Sequence, residues 1–490
     1  MYQEALWPLA LVYSHEIPGN RWYRQPRIRE LVLAGLRFTA ASSHTDGSCD
    51  DYFPFERAYG AAAFATNAAA QAYLLLSLNE PDLRAWFARR ADWLAHYNES
   101  GRLANHQALA ALALYRISLI TGQSAHREAA SHRLGLALAW QSSEGWFEEY
   151  GGADPGYQTI TLDCLAAYRN LADARWLNPA IQRGLQFARV FLHPDGSYAG
   201  EYGSRGTHHF YPHGMELLAG QFAAAADLAD GYLNCLAHER HAHFSDDRMF
   251  AHYAGNLLEA WLDWSPTRPP AETIAVAHSH NFPQAGLVVR ATDTTRTIIS
   301  TARGGIFKHF DAEKCRTTDA GLVVEFADRR IAVSQLHDPK RAARHTEDSP
   351  PTVEVTSTLH WAYDELLTPW KNALFRMGML LIGRWCGNLV RKLLQRRIIT
   401  GRRTAPVSFS RRFEFHGGGA AKPLLRVIDT IKLTDPRIRV TRMSFGTDHQ
   451  SSYVAACGIY HDSVLEPWTD LTAYVAELNE SRGVTIVREF

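Results

Sequence analysis

The chain has 490 residues, 46% hydrophobic and 21% charged, with 51 basic and 51 acidic side chains. That length allows two or three domains with at least one sizeable core, and the composition excludes gross disorder. A formal net charge of zero gives no global argument for nucleic acid, and no nucleic-acid partner is expected.

The chain begins MYQEALWPLALVYSHE, with an early acid, no basic leader and a short apolar run. That is a poor secretory signal. The expectation is a cytoplasmic protein, peripheral at the inner membrane if a later basic segment docks there, or periplasmic if a leader has been removed. Cys49, Cys164, Cys235, Cys315, Cys386 and Cys457 lie far apart, without metal-ligand spacing, and read as reduced, mostly buried thiols.

Up to about Trp264 the chain reads as helix after helix. ERAYGAAAFATNAAAQAYLLLSL, NHQALAALALYRISLITG and GYQTITLDCLAAYRNLAD are Ala/Leu-rich with apolar residues at helical spacing. The pattern repeats about every 45–55 residues, as one helical hairpin per unit would. DGSCDDYFPFERAYG begins at Asp46, SGRLANHQ at Ser100, EGWFEEYGGADPGYQ at Glu144 and DGSYAGEYGSRGTHHFYPHG at Asp195. Each is a Gly turn, a polar and aromatic loop, then a helix. Such hairpins can close into an (α/α) toroid over residues 1–264, with the four loops at one rim of a cleft; an open helical array is the alternative.

SPTRPPAE (265–272) reads as a linker. Beyond it, 273–490 reads as an antiparallel β-sandwich, from alternating segments such as AGLVVRAT, RTIISTA, GLVVEFADRRIAVSQL and LLRVIDTIKL. One segment interrupts it. From Leu366 to Arg412 there is no acid, while Lys371, Arg376, Arg384, Arg391, Lys392, Arg396, Arg397, Arg402, Arg403, Arg411 and Arg412 are basic. LFRMGMLLIGRWCGNLV within it predicts a basic amphipathic helical insertion over about 366–403. Its uncharged stretches fall short of the ~20 residues that cross a bilayer. An anionic membrane surface, an anionic glycan, or simple packing over the sandwich each accounts for it.

The loops carry the candidate chemistry. Asn105-His106 opens a helix, where the macrodipole favours a neutral imidazole able to accept a proton. Asn105 offers an uncharged donor to a carboxylate or developing oxyanion, or simply caps the helix. Tyr157 can donate a proton to a leaving oxygen or accept one, or close the loop as a rim aromatic. Glu149 and Asp154 are the paired acids a glycosidase would need. Trp146 and Tyr150 of the same loop, and Glu201, Tyr202, Arg205, His208 and His209 of the fourth, are expected to bind substrate. Arg57 and Arg205 suit a sugar carboxylate. His208, His209 and His213 in THHFYPHG can ligate zinc, but no cysteine or second well-spaced ligand accompanies them. Hydrogen bonding to sugar hydroxyls or a uronate is expected instead, with no metal.

These motifs resemble the heparinase II/III-like group of polysaccharide lyases and its alginate-lyase relatives. Asn105-His106 is similar to that family's Asn-His pair. Glu144–Gln158 is similar to its loop of Asp-Gly, Glu, Pro and Tyr-His, with Gln158 in place of the usual His. FPQAGLVVRA (282–291) resembles the strand that opens its second domain. The family's His-Ala-Asp-like motif is not present in GGIFKHFDAEKCRTTDAGLVVEF, although His309 is. The flavour is that of members from exopolysaccharide-biosynthesis clusters. The resemblance implies a toroid with a β-sandwich, Asn105 neutralising a uronate carboxylate, Tyr157 as the catalytic tyrosine, and β-elimination without a cofactor. A glycoside hydrolase using Glu149 with Asp154, Glu56 or Glu201 remains a second expectation. A membrane-associated glycan-binding or assembly protein is a third.

Overall fold

A computed structural model describes residues 2–99, 101–239, 247–270, 278–312, 314–341, 343–348, 350–362, 368–394, 403–416, 424–446 and 468–490. Cys457, Arg396, Arg397, Arg402 and the last two linker positions lie outside them.

Eleven described helices come first: α1 (Leu6–Ser14), α2 (Pro26–Ala41), α3 (Tyr59–Leu75), α4 (Pro81–His96), α5 (Ala104–Thr121), α6 (Ser124–Ala139), α7 (Pro155–Leu171), α8 (Asn178–Arg189), α9 (His213–Ala219), α10 (Ala223–Ala237) and α11 (Asp247–Leu262). Before α7 lie two short strands, β1 (Glu148–Glu149) and β2 (Gly152–Ala153). The three Ala/Leu-rich stretches become α3, α5 and α7. Gly122, at φ 74°, ends α5 in the left-handed conformation that glycine adopts without strain. Asp154 caps α7 by accepting the Tyr157 N–H at 3.0 Å, and Pro155 occupies the first turn.

α3, α5 and α7 are buried nearly all round, which explains their weak polar faces. α3 packs on α1 and α5, α7 on α5 and α9, and α11 on α9 and α1. α2, α4, α6, α8 and α10 each pack on at least one of these.

The strand-rich part holds two antiparallel sheets. β3 (His278–Phe282), β4 (Leu287–Ala291), β5 (Thr295–Ser300), β6 (Ile306–Asp311) and β7 (Lys314–Asp319) pair in chain order. The second sheet contains β8 (Gly321–Phe326), β9 (Ile331–Val333), β10 (Ala343–Thr346), β11 (Thr352–Trp361), β12 (Thr404–His416), β13 (Leu424–Leu433), β14 (Val440–Gly446), β15 (Trp468–Asp470) and β16 (Gly483–Glu489). Its order is β15-β14-β8-β9-β11-β12-β13-β16, with β10 on β11. Helix α12 (Pro369–Leu394) interrupts it between β11 and β12, and α13 (Val475–Ser481) precedes β16.

The first sheet is apolar on both faces because it is covered twice. Leu287, Val289, Ile298 and Ile306 join the core of the helices, while Val288, Ile299 and Phe307 pack with Val353, Phe413 and Val427 of the second sheet. Successive side chains point to opposite faces, so LVV reads as a continuous apolar run rather than an alternating one. Each such fully buried side chain contributes about 1.5–3 kcal/mol. Between the sheets, Arg411 bonds Asp429 at 2.6 Å and Asp319 at 2.9 Å, and Arg488 reaches both acids.

Candidate active site

The loop turns are built alike. Ser48 and Ser197 each donate N–H and O–H to the acid two residues earlier, Asp46 and Asp195. Gly47, Gly145 and Gly196 follow at φ 87°, 101° and 82°, and at the first two a side chain would strike the carbonyls of Arg89 and Arg183. The loops touch in sequence. Tyr150 N–H donates to Arg102 O at 3.0 Å, and Asn105 N–H donates to Glu149 Oε1 at 3.0 Å. Ser204 N–H donates to Ala153 O at 2.8 Å, and Arg205 N–H donates to Asp154 Oδ2 at 2.8 Å.

His106, in the first turn of α5, lies flat against Gly60, where there is no room for a Cβ. Its Nδ1 is 2.6 Å from Glu99 Oε2. Burial alone would raise the Glu99 carboxyl, but His106 and Arg391 outweigh it and hold the acid below its usual range. Arg391 is paired with Glu99 and comes from α12. In the neutral ring, the Glu99 carboxylate holds the imidazole proton on Nδ1 and leaves Nε2 as the acceptor.

A string of ring contacts leads from His106 to Tyr157. Phe64 packs edge-on to His106 (6.3 Å between centroids) and to His252 (5.1 Å). His252 touches Tyr253 (5.0 Å), Tyr253 touches His209 (5.7 Å), and His209 touches Tyr157 (5.6 Å). Burial pushes the Tyr157 phenol above its usual range despite Arg205 nearby. Arg205 lies 4.3 Å from the Tyr150 ring and 5.9 Å from the Tyr157 ring. Burial brings His209 down to about 3, so its imidazole is neutral.

Asn105 is only 1% exposed, and its neighbour Glu149 is equally buried. Burial pushes the Glu149 carboxyl up to about 8, against the Asn105 donors. The structure therefore gathers Asn105, His106, Glu149, Tyr150, Tyr157, Arg205 and His209 around one set of loops.

The other residues singled out from the sequence have partners within the protein. Trp146 is buried in the helical core and donates Nε1–H to Glu144. Asp154 is spent on three donors, the N–H groups of Tyr157 and Arg205 and the Thr207 hydroxyl at 2.5 Å. Arg57 lies 3.6 Å from Asp46. Glu201 lies between Lys308 (3.1 Å) and His208 (3.3 Å), and Tyr202 bonds His193. His213 sits apart, among Asp163, Glu259 and Asp263, so the three histidines of THHFYPHG have three different sets of partners. His309 is buried beside Thr297. His337, after β9, instead lies over Gly152.

Glu99, Arg391 and Tyr253 were not visible as site residues in the sequence. Glu99 is seven residues ahead of His106 and outside its helix, so no periodic signal ties the two together. Arg391 is 285 positions beyond His106, and only the tertiary fold joins them.

No family model matches the chain, and no curated protein matches it in sequence. Solved structures do. Chondroitin AC lyase of Streptomyces coelicolor A3, in complex with chondroitin sulphate, superposes with a TM-score of 0.55 at 14% identity, over 91% of this chain and 63% of that one. A xanthan lyase from Paenibacillus gives 0.51 at 12%, over 91% of this chain and 42% of that one. The chain thus spans less than two thirds of the length of either neighbour. The fold of this chain, helices first and then antiparallel sheets, is one it shares with polysaccharide lyases, the class its sequence motifs resemble.

Proposed function

We propose that this chain cleaves a uronate-containing acidic polysaccharide by β-elimination, in exopolysaccharide metabolism. The observation that carries the reading is the Glu99–His106 pair, an imidazole held by a buried carboxylate at a helix N-terminus. In this reading His106 Nε2 takes the C5 proton of the uronate. Arg205 and the Asn105 amide neutralise its carboxylate, so that charge can move onto it as an enolate-like oxyanion. One preorganised donor of that kind is worth roughly 3–4 kcal/mol. Tyr157, kept protonated by its burial, gives its proton to the leaving glycosidic oxygen as the C4–O bond breaks.

The finer architecture belongs to the same proposal. The packing order α1, α3, α5, α7, α9, α11 and back to α1 supports an (α/α) toroid over 1–264 with the loops at one rim. The core shared by the two sheets supports a β-sandwich over 273–490, after a linker at 265–272. Hydrolysis needs a second available carboxylate. Both oxygens of Asp154 already accept protein donors, which favours elimination.

The test is a panel of uronate-containing polymers with products followed by ultraviolet absorbance and mass. Unsaturated fragments are expected, with His106→Ala and Tyr157→Phe each losing about 10²–10⁴-fold in rate while each variant still folds. Fragments that gain the mass of water would replace elimination by hydrolysis. Glycan binding without product across the panel would make the chain a binding protein.

A further inference from the structure

Helix α12 is amphipathic the wrong way round. Its inward stripe is narrow: Met379, Gly383 and Gly387 are its buried residues, and Gly383 and Gly387 lie against Pro54 and Phe55 of the first loop. Close approach there depends on glycine, since a Cβ at Gly387 would meet the Phe55 carbonyl. Polar contacts fasten the same side. Tyr97 Oη–H donates to Asn388 Oδ1 at 2.6 Å, Arg376 Nη1 donates to Tyr52 O at 2.8 Å, and Arg391 pairs with Glu99.

The outward side is the apolar one. Trp370, Leu374, Met377, Leu381 and Trp385 recur three or four residues apart, which puts them in one stripe, and all are exposed, Leu381 to 73% and Trp385 to 79%. A contiguous exposed stripe of this size marks an interaction surface. Lys371, Arg384 and Lys392 are exposed beside it, and the helix carries no acid.

We propose that the outward face of α12 docks on the surface of an anionic lipid bilayer. Two tryptophans, aliphatic side chains between them and cations alongside match the layers of such a surface, acyl chains flanked by negative headgroups. A polysaccharide offers nothing to bury Leu374, Met377 and Leu381. A second copy of this chain would bring the same cations face to face across a two-fold axis, with no acid on the helix to balance them. No described helix is long and apolar enough to cross a membrane, so α12 lies along the surface. Because its inward side holds Glu99 through Arg391, the bilayer lies about one helix diameter, ~10–12 Å, from the Glu99–His106 pair.

The experiment is co-sedimentation of the full chain with vesicles of phosphatidylglycerol and phosphatidylcholine, or of phosphatidylcholine alone, beside sedimentation without vesicles. It needs no turnover, so it stands or falls apart from the lyase reading. Partition about tenfold stronger into the anionic vesicles is expected, weakened by added salt and lost in Leu381→Glu and Trp385→Glu. Both positions are exposed, so each variant should keep the wild-type melting temperature. No partition into either vesicle, equal partition into both, or partition unchanged in the variants would overturn the proposal. So would a doubled mass in solution that Leu381→Glu returns to the monomer, which would give the face to a second copy.

Discussion

The third and fourth loops both contain Glu-Tyr-Gly, at Glu149–Gly151 and Glu201–Gly203, and both glutamates are buried to 1% exposure. Their charge states differ, Glu149 being neutral and Glu201 ionised. Burial carries the Glu149 carboxyl up to about 8, outweighing the Asn105 donors and the charge of Arg205. Burial would raise Glu201 too, but Lys308 and His208 outweigh it and hold the acid well below its usual range. The largest part of the difference comes from a residue outside the helical part. β6 brings Lys308 over the fourth loop, whereas His337 lies over Gly152 of the third. A repeated motif thus fixes where a carboxyl sits, while the neighbouring element fixes whether it is charged.

Removing the cation that makes the difference should have the largest effect. Lys308→Met takes away the ammonium that is paired with the buried Glu201, and breaking a buried pair this way costs about 3–5 kcal/mol. Glu201→Gln should cost a similar amount, because it strands Lys308. Denaturant unfolding measures both, and a loss under about 1 kcal/mol in either would mean that the pair is not formed. The sign with pH follows from the depressed acid. Its contribution is complete above the ordinary glutamate value of 4.5 and is lost as pH falls below it.

A smaller effect is expected where the second loop meets the site. Gly60→Ala pushes a methyl into the His106 ring, and overpacking of this kind costs about 1–3 kcal/mol. The ring must shift from Glu99, and a displacement near 1 Å can cost about a hundredfold in rate. Activity should therefore fall far more than stability. Equal activity would show that His106 does not need its present orientation, and the third loop, with Glu149 and Tyr157, would have to carry the chemistry.

The two loops also show what a sequence reveals. Helices α3, α5 and α7 were legible from apolar spacing, and strands β4, β5 and β8 from β-branched runs, because local periodicity carries those signals. The internal repeat was legible from its glycines, whose φ angles only glycine adopts freely. Asn105, His106 and Tyr157 could be picked out because they follow those turns. The capping role of Asp154 was hidden, since Ala-Asp-Pro reads equally as a cap and as an acid in a cleft. The burial of Trp146 and the pairing of Glu201 were hidden for another reason. Each depends on residues from other elements, the helical core around Trp146 or Lys308 on β6, and no spacing within a loop encodes that.

The smallest effect is the most discriminating. Glu149→Gln should leave stability within about 1 kcal/mol of wild type at pH 5, because the carboxyl it replaces is already neutral and of the same shape. The two proteins must then diverge as pH rises. Between 4.5 and about 8 the folded wild type keeps a proton that the unfolded chain has released, so its stability falls with pH. The contribution of neutral Glu149 is complete below 4.5 and is lost as pH passes through about 8. Glutamine has no such proton, so its curve lacks this slope, which is at most about 1.4 kcal/mol per pH unit. By pH 8 the variant should be the more stable of the two, and unfolding curves at three pH values are enough to see the crossing. A variant that loses about 3 kcal/mol at pH 5, as Glu201→Gln is expected to, would mean that Glu149 is ionised. The two loops would then be alike in charge as well as in sequence, and Arg205 would have to outweigh burial in the third as Lys308 and His208 do in the fourth.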